Sequence, residues 1–181
     1  MESRPSVRVW DPLVRIAHWA LVTGVALAWF TRTGGKTWHE WAGYATLVLV
    51  ALRFTWGWMG PRYARFDQFV RSPAATLHYA GEVLRGSEHR YVGHNPLGGW
   101  MILALLSTVA LTGVTGWLYT TDAFWGEEWV EDLHEALAIL LLVLAALHVM
   151  GVVVTSLRHR ENLVASMIHG RKRGAGEGDI A

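Results

Sequence analysis

The 181-residue chain contains no cysteine. Disulfides, iron–sulfur clusters and thiolate metal sites are therefore excluded. So is the C-x-x-C-H attachment that fixes haem covalently. Charge is scarce as well. Asp, Glu, Lys and Arg make up 17% of the residues, against about 25% in an ordinary soluble domain. No signal-peptide pattern appears in Met1 to Asp11, because no small-residue cleavage site follows a short apolar core. The first apolar block is therefore expected to be retained. There is no internal repeat and no low-complexity tract.

What the chain has instead is apolar residues, 52% of the total, gathered into long blocks. Four are long enough to cross a bilayer, which takes about 20 residues: spans of about 13–30, 38–58, 97–119 and 133–157. Their length predicts spanning helices, which satisfy their own backbone hydrogen bonds in lipid. Of the eleven tryptophans, several sit near the block ends, Trp10, Trp29, Trp38, Trp56, Trp58, Trp100, Trp117, Trp125 and Trp129, as expected of interfacial anchors; plain core aromatics are the alternative for some of them. The joins differ. A short link carries Gly34 and Gly35. A long loop at 59–96 contains Ser72 and Pro73, which read as an N-cap and first helical position. These predict a short surface helix from Pro73 to about Leu84, ending before Gly86. The third join is acidic, with Asp122, Glu127, Glu128, Glu131 and Asp132.

Positive charge fixes the expected orientation. Arg4 and Arg8 in the head, Arg62, Arg65, Arg71, Arg85 and Arg90 in the long loop, and Arg158, Arg160, Arg171, Lys172 and Arg173 in the tail all fall on one side of a four-span chain. Only Arg32 and Lys36 fall on the other. Both termini and the long loop are thus expected to be cytoplasmic, with the basic tail beside anionic lipid. The expected architecture is all-α: an integral membrane four-helix bundle with a short cytoplasmic surface helix between the second and third spans. Residues 1–173 form one domain, and 174–181 are expected to be a disordered tail. The basic residues sit where the positive-inside rule puts them, so nothing supports nucleic-acid binding.

Nine histidines occur, and His18, His39, His134 and His148 lie within spans. Ionisable groups in a membrane are costly and usually functional. His134 and His148 are 14 residues apart, so they project from nearly one helix face and are separated by roughly 21 Å along the axis. His134 is then outer and His148 inner. His18, early in a helix that starts inside, is level with His148. His39, at the start of a helix that begins outside, is level with His134. Facing imidazoles across a helix bundle suit a six-coordinate haem iron. Two axial nitrogens leave no open position for oxygen, which favours electron transfer. A bare zinc or copper site is disfavoured because no carboxylate or thiolate completes either pair. A buried, hydrogen-bonded histidine is the bland alternative for each. Gly24, Gly43, Gly98, Gly99, Gly113 and Gly116 allow close approach of a macrocycle or a helix. Arg15 and Arg53, near inner depth, are candidate haem-propionate partners. His78, His89, His159 and His169 are expected at the surface.

The stretches Val9-Trp-Asp-Pro-Leu-Val-Arg-Ile-Ala-His-Trp19, His39-Glu-Trp-Ala-Gly43, Gly93-His-Asn-Pro-Leu-Gly-Gly99 and Leu133-His-Glu135, with His148 beyond, carry a resemblance. From about residue 7 to 170 the chain resembles the bacterial cytochrome b561 family, which includes the cytochrome b subunit of nickel–iron hydrogenases. The resemblance implies two non-covalent b-type haems, with His18, His39, His134 and His148 as axial ligands. It implies residence in the cytoplasmic membrane and electron exchange between quinone and a partner. By similarity to quinone-linked relatives, His94 and Asn95 form a candidate quinone site; as a plain helix entry, Asn95 caps the third span and Pro96 starts it. The expected function is transmembrane electron transfer between the quinone pool and a periplasmic redox protein such as a c-type cytochrome, which the acidic loop would steer. The alternative is a stand-alone superoxide:quinone oxidoreductase that attracts its anion through Arg32 and Lys36. A colourless membrane anchor or transporter is the non-redox alternative.

Overall fold

The computed structural model describes residues 5–181; Arg4, counted above with the basic head, lies outside them. In chain order the elements are β1 (Ser6–Arg8), α1 (Pro12–Thr31), α2 (Lys36–Met59), a 3-10 turn (Arg62–Ala64), α3 (Phe66–Phe69), α4 (Pro73–Arg85), α5 (Pro96–Tyr119), α6 (Glu128–His159), α7 (Leu163–His169) and β2 (Arg171–Arg173). Local chemistry accounts for where the helices begin. Asp11 Oδ1 accepts from the Leu13 and Val14 amides at 3.0 and 3.1 Å, ahead of Pro12. Asn95 Oδ1 accepts from the Gly98 amide at 2.7 Å, ahead of Pro96. Each is an N-cap followed by proline at the first helical position. Ser72 caps α4 by accepting from the Ala75 amide at 3.3 Å, and Gly86 closes it in the left-handed region at φ +69. Glu128 and Glu131 open α6 while Arg158 and His159 close it, both favourable to the helix dipole.

Among the described residues, α1, α5 and α6 are long and apolar enough to cross a membrane by length and composition. α2 has 24 residues but carries Lys36, His39, Glu40 and Arg53, and falls outside that set. The long helices expose apolar side chains: Ile16 is 70% exposed, Phe30 78% and Leu157 75%. Such continuous apolar surface is stable against lipid and not against water.

The described chain divides into two compact units. One joins Ile16–Thr55 with Leu103–Ala146. It contains segments of α1, α2, α5 and α6, and its buried residues include Ala17, Ala42, Thr46, Val50, Leu106, Val109, Val130 and Leu141. Small residues set its spacing. A Cβ on Gly24 of α1 would collide with Thr46 of α2, and one on Gly113 of α5 would stand 3.1 Å from Leu47 Cδ1 of α2. Such close approach stands in for the hydrophobic drive that lipid removes.

The other unit joins the described residues up to Arg15 with Trp56–Ile102 and Leu147–Ala181. Here β1 pairs antiparallel with β2, Val7 opposite Lys172. Val9, Trp10 and Val92 form a small core against Tyr63 and Met167. Trp10, expected at an interface, is instead 6% exposed and donates its indole N–H to Ser166 Oγ at 3.2 Å. The core places it because Ser166 and Met167 of α7 and Val92 pack around it.

The tail at 174–181 differs from the expected disorder. The Ile180 amide donates to the Arg90 carbonyl and the Val92 amide to the Ile180 carbonyl, each at 2.8 Å. Arg90 binds Asp179 at 2.6 Å and Glu161 at 2.9 Å, and Lys172 lies 3.7 Å from Glu161. The polar, glycine-rich composition suggested a free end, but the buried guanidinium gives this end specific partners. Burial pushes the Lys172 ammonium down to about 8, although Glu161 opposes it. Burial also works against the Glu161 and Asp179 carboxylates. Even so, Arg90 and nearby backbone N–H groups hold both below the ordinary carboxylate range.

Candidate functional site

His39, at the start of α2, points its Nδ1 at the Ala28 carbonyl of α1, 2.8 Å away. His134, in the second turn of α6, points its Nδ1 at the Thr112 carbonyl of α5, 3.0 Å away. A carbonyl oxygen only accepts, so each Nδ1 carries the proton and each Nε2 keeps its lone pair. The two ring centroids lie 6.0 Å apart with planes at 82°, a T-shaped arrangement. Both rings are only partly exposed. A backbone carbonyl that accepts from one ring nitrogen commonly orients a ligating histidine and fixes its tautomer.

His18 sits in α1, packed edge-on against Trp19 with centroids 5.0 Å apart. His148 lies on α6, 14 residues beyond His134, and is half-buried. Arg15 hydrogen-bonds the Ile168 carbonyl at the end of α7. It thus ties the start of α1 to the C-terminal segment, a role its sequence position did not suggest. Arg53 on α2 is buried, 6% exposed.

A model of the prokaryotic cytochrome b561 family matches residues 9–170. The chain belongs to that family. A comparison with curated proteins finds no match. Membership makes this a membrane protein that binds haem b and transfers electrons across the membrane, and two neighbouring imidazoles whose Nδ1–H groups are held by backbone carbonyls fit such a group.

His94 of this cytochrome b lies between two aromatic rings, 4.5 Å from Trp10 and 4.8 Å from Phe69. Asn95 beside it is engaged twice, as the cap of α5 and in a hydrogen bond with Tyr79. Burial, with Glu88 beyond it, raises the Tyr79 hydroxyl well above its ordinary pKa and keeps it a neutral hydrogen-bonding group. Arg32 stacks on Trp29, its guanidinium carbon 3.8 Å from the ring centre. Lys36 lies 4.8 Å from the Trp125 ring and 3.9 Å from Glu40. In the acidic join, Glu131 accepts from the Tyr119 hydroxyl at 3.0 Å.

Sequence reasoning missed Thr112 and Thr115 on α5. Thr108, Thr112 and Thr115 recur at spacings of four and three, which puts one polar stripe on an otherwise apolar helix. That stripe was the available signal. Thr115 is 6% exposed, and its Oγ1 lies 3.2 Å from His134 Nδ1.

Proposed function

We propose that the protein carries electrons across the membrane through two non-covalent b-type haems, between the quinone pool and a periplasmic redox protein. In this reading α1, α2, α5 and α6 form a four-helix bundle, with both termini and α4 on the cytoplasmic side. The outer haem is held by His39 and His134. The inner haem is held by His18 and His148, assigned from their depth along the sequence. Haem iron, when bound, shuttles one electron between its ferric and ferrous forms.

The observation that carries the proposal is the matched tautomer of His39 and His134. Each Nδ1–H is spent on a backbone carbonyl, which leaves each Nε2 for a metal. Arg15 and Arg53 remain candidate propionate partners. Arg15 also spends one donor on the Ile168 carbonyl. His94 is the better candidate quinone contact, because the Asn95 amide is already committed to the α5 cap. Arg32 and Lys36 are occupied by tryptophan faces. The partner-dependent reading is therefore better supported than the superoxide:quinone alternative.

The experiment is a haem assay with a reduced-minus-oxidised spectrum on detergent-purified protein. The expected result is about two extractable haems per chain with a low-spin bis-histidine spectrum. Protein without haem overturns the proposal. Turnover of superoxide with quinone and no added partner would instead select the alternative.

A further inference from the structure

The sequence marks Gly116 only as a small residue and Thr115 not at all, yet both meet the His134 ring. A Cβ on Gly116 would lie 2.9 Å from His134 Cε1, 3.3 Å from Nδ1 and 3.8 Å from Nε2. Cε1 lies between the two ring nitrogens, so an added methyl turns the whole nitrogen edge away from its present direction. The space that the ring occupies therefore exists because residue 116 has no side chain.

Thr115 acts at the other face of the problem. Its Oγ1 lies 3.0 Å from the Leu111 carbonyl and 3.0 Å from the Thr112 carbonyl of its own helix. A hydroxyl has one proton, and it is spent on these carbonyls. The oxygen that faces His134 Nδ1 at 3.2 Å is consequently an acceptor. With the Thr112 carbonyl at 3.0 Å, Nδ1–H has two acceptors. The neighbouring threonines do not share this role: Thr108 and Thr112 spend their hydroxyls on the Ala104 and Thr108 carbonyls. Thr115 is 6% exposed, so water is a poor substitute for it.

We propose that Gly116 and Thr115 are positioning residues for His134, Gly116 by making room for its ring and Thr115 by fixing its Nδ1–H so that Nε2 is the ligating nitrogen. The inference rests on the reading of His134 as an iron ligand. A hydrogen bond from Nδ1–H makes the imidazole a stronger donor to a metal. That favours the ferric form and lowers the reduction potential. Losing one acceptor moves the potential up.

The test uses the full-length, haem-loaded protein, with haem content, redox titration of the two haem components and low-spin electron paramagnetic resonance as readouts. Thr115→Val is nearly isosteric. It is expected to keep both haems, raise the midpoint potential of one component and leave the other in place. Thr115→Ser restores the original value. Thr112→Val keeps the backbone carbonyl and titrates like the wild type. Gly116→Ala is expected to lose half or more of that same component, taking the total toward one haem per chain. Unchanged potentials in Thr115→Val together with full haem loading in Gly116→Ala overturn the inference. Wild-type protein that holds no haem overturns the ligand reading beneath it instead.

Discussion

Replacing Arg90 with alanine tests what holds the C-terminal end in place. The guanidinium reaches Glu161 Oε1 and Asp179 Oδ2 at 2.9 and 2.6 Å and the Arg173 carbonyl at 2.6 Å, with a side chain only 4% exposed. Breaking a buried ion pair by removing one partner costs about 3–5 kcal/mol, because the remaining charge is left without compensation. Here the two carboxylates keep some support. Lys172 still faces Glu161 at 3.7 Å. The Arg173 and Gly176 amides still donate to Glu161 and Asp179 at 2.8 Å each. The lower end of the range therefore applies, about 3 kcal/mol, which is about two orders of magnitude in the opening equilibrium. The readout is hydrogen exchange at the Val92 and Ile180 amides, which are bonded across this junction. Both should exchange roughly a hundredfold faster in Arg90→Ala. Arg90→Lys should fall between, since an ammonium keeps the charge and loses the fork. The haem spectrum should not change in either variant. Protection within about threefold of the wild type would refute the claim that this network holds the tail.

Three further outcomes are expected. His148→Ala should remove one haem and leave the other bound, because roughly 21 Å of helix separates it from His134; two haems with unchanged spectra would show the assignment to be wrong. Asn95→Ala should destabilise the start of α5 by about 1 kcal/mol as a lost cap, without haem loss; a thermal transition unchanged from the wild type would show that the cap contributes nothing. Acid should release the tail. Glu161 and Asp179 have folded pKa values below their unfolded ones, so their stabilisation is complete above about pH 5 and is lost as pH falls through the depressed values. Lys172, pushed down to about 8, has the opposite consequence above neutrality. The unfolded chain binds its proton more tightly there, so the junction gains stability as pH rises from about 8 toward the ordinary lysine value near 10. Exchange at Ile180 across this pH range, corrected for intrinsic rates, checks both signs.

The sequence by itself determined the helical character and the chemistry on offer. Long apolar blocks with few charges admit little but spanning helices, and Asp11-Pro12, Ser72-Pro73 and Asn95-Pro96 mark helix entries through local capping. The four histidines proposed as ligands stand out because an ionisable side chain is conspicuous among apolar neighbours, and the separation of His134 and His148 along α6 follows from helical rise. Tertiary structure decided what no local pattern encodes. Trp10 became core because α7 and Val92 pack around it, and the tail was ordered because Arg90, more than eighty residues earlier, supplies a buried counter-charge. The tautomers of His39 and His134 depend on which carbonyls their rings meet, those of Ala28 and Thr112. Gly116 and Thr115 acquire their place at His134 only when α5 and α6 pack side by side. Capping and periodicity act within a few residues of sequence, whereas hydrogen-bond partners and steric room depend on how distant segments pack.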